Sequence, residues 1–166
     1  MTEIQSIAHK IQQNMSRYQM VSEDIGIPYW PLIGIIHNLE AIGMSFTSHL
    51  YNGDPLDKRT VRVPVGRPTA QEGDPPFTWE FSAISLMRYK GFDKWHDWSI
   101  EGIAYKLEDN NGFGYRIHGM PSPYLWAGSS IYTKGFYTSD GNFDPNAVSK
   151  QIGGMTMLKY LSTQGV

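Results

Sequence analysis

The sequence predicts a mainly α-helical fold of the α+β class, with a central buried helix, a small β-hairpin insert and several surrounding helices. Three observations predict it. Apolar residues at Ile4, Ile7, Ile11, Met15 and Tyr18 recur at the spacing of one helix face. The run Leu32-Ile33-Gly34-Ile35-Ile36-His37-Asn38-Leu39 is almost wholly apolar, which suits a helix surrounded by protein. Prolines and turn residues then crowd the stretch from Ser45 to Pro76, where no long helix can form.

In chain order, a helix is expected from Ile4 to Tyr18. Pro31 fits the first turn of the central helix and Gly43 its end. The Asn52-Gly53-Asp54-Pro55 turn signal and the alternation through Thr60-Val61-Arg62-Val63 point to a small β-hairpin or meander, followed by a loop through Pro76. Four helical patterns follow: Thr78 to Tyr89, Trp98 to Leu107 with Asp97 as its cap, one opened by Ser122-Pro123, and one opened by Asp144-Pro145 that runs through Val148, Ile152, Met155 and Leu158. No repeat, low-complexity tract or linker interrupts the chain, so residues 1–166 read as one domain.

Composition narrows the function classes. Hydrophobic residues make up 40% of the chain and charged residues 18%, enough apolar material for a packed core. The absence of cysteine rules out disulfides, thiolate metal sites and a cysteine nucleophile. The formal charge of -2, with Lys and Arg scattered, argues against capture of nucleic acid. No stretch is apolar enough to span a membrane, and the first residues lack the pattern of a signal peptide. Synthesis in the cytoplasm is therefore expected, and the chain is expected to be a monomer. No phosphate loop is formed by Gly112-Phe113-Gly114, and no G-x-S-x-G is present.

Glu40 is the outstanding candidate for chemistry. A carboxyl at the end of so apolar a helix is expected to be partly withdrawn from water, which raises its pKa toward the range a general acid needs. The alternative is a glutamate that simply ends the helix facing solvent. Asp54, on the predicted turn, could supply the second carboxylate that glycoside cleavage requires, or serve as an ordinary turn aspartate. Thr60 could hold a water by its hydroxyl, or merely occupy a strand. His37 lies at i, i+3 from Glu40 and could orient it, or be an interior histidine with its own partners. His37, Glu40 and His49 have no metal-ligand spacing, so neither a metal nor another cofactor is expected. Aromatic residues crowd the second half of the chain, where Trp126, Tyr115 and their neighbours could present ring faces to sugars.

The stretch IIHNLEAIGMSFTSHLYNGDPLDKRTVRVPVGRP, with PPFTWEFSAISLMRYKG, NNGFGYR, SPYLW and FDPNAVSKQIGG, resembles phage and bacterial lysozyme-like endolysin domains over roughly residues 28 to 155. The resemblance implies a lysozyme-like fold acting on the glycan strands of peptidoglycan, with Glu40 matching the glutamate that ends the family's central helix. Asp54 and Thr60 reproduce the spacing of the aspartate and threonine of phage-type lysozymes and complete the expected catalytic set, and His37, His49, Asn111, Tyr115 and Trp126 are the expected substrate-binding residues. An endolysin of this kind reaches the wall after holin-type release or as a virion component. Two positions depart from the pattern: Ala41 stands where serine commonly follows the glutamate, and Asn110 where tyrosine precedes Asn-Gly. A muramidase is the leading expectation. A lytic transglycosylase and a non-catalytic wall-binding or phage structural module are the alternatives, with a metallopeptidase last.

Overall fold

The computed structural model describes all 166 residues. It is mainly helical, with eight α-helices and one two-stranded antiparallel sheet. Its residues group into two compact units, 9–96 and 1–8 together with 97–166.

The expected helix from Ile4 to Tyr18 is in fact two, α1 (Glu3–Gln13) and α2 (Met15–Ile25). The break falls at Asn14, whose side-chain amide donates to the Lys10 carbonyl at 2.8 Å and so competes with the helical backbone for it. α2 ends where Gly26 takes a left-handed conformation and donates its N–H to Ser22 O. α3 (Pro31–Glu40) follows, with Pro31 at its first position and only Asn38 and Glu40 not buried. Gly34 lets it come close to its neighbours, because a Cβ there would lie 2.9 Å from two carbons of Ile11 and 3.1 Å from the Tyr18 ring. α2 packs against both α3 and α4 (Trp79–Tyr89). The start of α4 is fixed by Thr78, whose hydroxyl accepts the Phe81 N–H at 3.1 Å.

Between α3 and α4 the expected β-hairpin or meander does not form. One isolated bridge, Ser48 with Pro55, is all that remains of it. Prolines 55, 64, 68, 75 and 76 have no N–H to give to a ladder, and side chains satisfy the carbonyls instead. Arg59 donates to Pro68 O at 2.7 Å and Gly73 O at 2.8 Å, and His49 and Thr60 serve other carbonyls of the same segment.

In the second unit, α5 (Ile100–Asn111) begins two residues later than expected. Ser99 is its cap, accepting the Gly102 N–H, while Asp97 accepts the Ser99 hydroxyl and backbone N–H. Two short helices follow, α6 (Gly114–Ile117) and α7 (Pro123–Trp126), the latter opened by Ser122-Pro123 as predicted. The sheet lies here rather than in the insert. β1 (Phe136–Ser139) pairs with β2 (Asn142–Asp144) across the Asp140-Gly141 turn, in the register Phe136 to Asp144 and Tyr137 to Phe143.

The last helix, α8 (Gly154–Thr163), starts ten residues after Asp144 rather than beside it. Asp144 instead closes β2 and turns the chain, its carboxylate accepting the N–H groups of Asn146 and Ala147. α8 packs on α7 through Gly153, where a Cβ would lie 2.4 Å from the Leu125 carbonyl. No helix is long and apolar enough to cross a membrane.

Candidate functional site

Glu40 is the last residue of α3, and it is exposed. The expected withdrawal from water does not occur: the helix buries Leu39 and His37, but its end carries the Glu40 side chain out to solvent. Ala41 leaves the helix with extended backbone, and Ile42, in the short 3-10 turn that follows, is fully exposed. A carboxylate here sits at the end of the helix where the unpaired carbonyls and the negative pole of the dipole lie, a place that disfavours anions.

His37 is completely buried beneath that helix end. Its Nε2–H donates to the Ser45 carbonyl at 2.8 Å, which leaves Nδ1 to accept the Tyr18 hydroxyl at 2.9 Å. Burial pushes the Tyr18 phenol up, keeping it a donor, and pushes the His37 imidazole down to about 4, keeping it neutral. The rings of Tyr18, Phe46 and Trp79 surround it with centroids 4.6 to 5.9 Å away. His37 thus pins the segment after α3 to the interior. It offers no nitrogen to a ligand, and the same holds for His49, 1% exposed, whose Nε2–H donates to Lys58 O and whose Nδ1 accepts the Ser82 hydroxyl at 2.6 Å. Neither histidine is placed to touch a substrate.

Asp54 is 3% exposed, and three donors occupy its carboxylate. The backbone N–H groups of Val61 and Arg62 reach one oxygen at 2.9 and 3.0 Å, and Arg62 Nε reaches the other at 2.6 Å. The Arg62 N–H, its guanidinium and the Val61 N–H together hold the carboxyl down to about 2, so it is ionised throughout the ordinary pH range. Arg62 goes on to Asn52 O at 2.8 Å, and the Asn52 amide returns to Arg62 O at 3.0 Å. Thr60, 2% exposed, closes the adjoining turn: its hydroxyl donates to Pro64 O and accepts the Arg67 N–H at 2.9 Å. The hydroxyl expected to hold a water is committed to the backbone, and both residues act as braces of one loop.

The remaining candidates lie in the second unit. Asn111 is exposed at the end of α5. Tyr115 is 4% exposed, and its hydroxyl accepts the Tyr137 N–H at 3.1 Å, so it anchors β1 instead of facing a ligand. Asn110, where the resemblance expects tyrosine, donates to the Tyr124 hydroxyl at 2.9 Å. Trp126 is half-buried and lines a cavity of about 370 Å³ with residues of α8.

Sequence reasoning missed two groups of residues. Val61, Val63 and Val65 are exposed on the loop that Asp54 braces, although their alternation reads as a half-buried strand. Lys159 and Tyr160 join Trp126 around the cavity, while their helix reads from the sequence only as a core pattern. No family model matches the chain, and no curated protein or solved structure matches it significantly.

Proposed function

We propose that this protein cleaves the glycan strands of bacterial peptidoglycan within a lysozyme-like fold, with Glu40 as the general acid. The observation that carries the reading is the placement of Glu40. A carboxyl is kept exposed at the unfavourable end of the most buried helix in the first unit, and the helix end is pinned from beneath by His37. The resemblance of residues 28 to 155 supplies the substrate class, and the mainly helical α+β architecture is compatible with it.

In the muramidase form, Glu40 gives its proton to the leaving glycosidic oxygen while a second carboxylate steadies the oxocarbenium-like state or activates water on the other face. Asp54, the second carboxylate expected from the sequence, is instead buried in the loop it braces. Its engagement by three N–H donors favours a second reading. In a lytic transglycosylase one glutamate suffices: it protonates the leaving oxygen, then takes the proton of the muramic 6-hydroxyl as that oxygen attacks C1 and closes an anhydro ring.

Mass spectrometry of fragments released from purified sacculi separates the two, because the anhydro product lacks the elements of water. Reducing-end muropeptides support the hydrolase and anhydro-muropeptides the transglycosylase. A folded protein that sediments with sacculi of several wall types and releases nothing contradicts both, and leaves a wall-binding module.

A further inference from the structure

We propose that the cavity between the end of α7 and α8 is a binding site for a saccharide ring bearing a carboxylate. Trp126 closes α7, and Met155, Lys159 and Tyr160 of α8 line the cavity with it. Ile131, from the turn between them, is exposed at the rim. The volume of about 370 Å³ falls in the range of small-molecule sites.

Three features define the ligand. Lys159 is the only charged residue lining the cavity, and it favours a ligand with a negative charge. The Lys159 ammonium, the Trp126 indole N–H and the hydroxyls of Tyr160 and Ser130 make no hydrogen bond or ion pair within the protein, and all four can donate. The ligand is therefore rich in acceptors. Two aromatic rings with Met155 and Ile131 offer apolar surface, which a pyranose meets with its C–H faces. An N-acetylated sugar with an acidic side arm, such as the muramic acid unit of the strand, satisfies all three. Its identity rests on the glycan reading above. The site belongs to the second unit, and Glu40 to the first.

The test follows the Trp126 indole 1H–15N resonance, assigned with W126F, while the 166-residue chain is titrated with N-acetylmuramic acid, N-acetylglucosamine and hexanoate. A saturable shift with N-acetylmuramic acid is expected, weakened about fivefold by K159Q, the loss fitting one exposed ion pair. N-Acetylglucosamine should bind more weakly and be indifferent to K159Q. No saturable shift, equal binding of the two sugars, or hexanoate binding as well as N-acetylmuramic acid overturns the proposal. These titrations need no turnover. Their failure leaves the role of Glu40 standing, and continued wall cleavage by E40Q removes that role without touching the titration.

Discussion

Gly34 and His37 carry the clearest consequences at the scale of single residues. A methyl group at Gly34 would press on Ile11 and Tyr18, both completely buried, so Gly34→Ala should cost about 1–3 kcal/mol in denaturant unfolding despite its better helix propensity. His37 makes stability depend on pH. Its folded pKa, about 4, lies below the ordinary 6.5, so the unfolded chain binds the extra proton between those values. The contribution is complete above about pH 6.5 and fades as the pH falls toward 4, with a magnitude on the order of 3 kcal/mol. Asp54 adds a second loss, between its ordinary 3.8 and about 2. Unfolding midpoints measured from pH 7 to pH 4 should decline in the native protein, and the decline should flatten in His37→Gln. Sequence spacing made His37 visible as a neighbour of Glu40. Its role depends on Tyr18 and Ser45, whose approach no local pattern encodes.

At the scale of elements, the legible parts were those fixed by a residue and its near neighbours. Thr78 before α4, Pro31 in α3 and Ser122-Pro123 before α7 act within one helical turn, and each stands where the sequence put it. The segment from Ser45 to Pro76 was misread because alternation resembles a strand even where prolines prevent pairing. Its order comes from side chains reaching distant carbonyls, Arg59 across nine and fourteen positions. The true hairpin had its signal in Asp140-Gly141, a turn pair flanked by Phe136, Tyr137 and Phe143. Among the site residues, Glu40 was recognisable and the solvent-facing alternative is the one the fold adopts, and Asp54 was found by its turn while its three donors were hidden in the fold. Thr60→Val tests this account of the loop. It removes the side-chain partner of the half-buried Pro64 carbonyl and Arg67 N–H and should cost about 1 kcal/mol, with faster amide exchange at Gly66 and Arg67; Thr60→Ser should restore both.

For the molecule as a whole, the candidate groups fall in separate units. The unit of residues 9–96 holds Glu40 and the braced loop, and the unit containing residues 97–166 holds the aromatic cavity. If Glu40 serves chemistry, its removal should cost little stability. Replacing the carboxylate at the negative end of α3 by an amide should leave unfolding free energy within about 1 kcal/mol of the native value. The most direct test is therefore release of soluble muropeptides from purified sacculi by the native protein and by Glu40→Gln, compared at equal folded concentration as judged by thermal melting. Release by the native protein and none by the variant is expected, at closely similar melting temperatures. Equal release by both would contradict it, because the exposed carboxylate at the end of α3 would then take no part in the reaction.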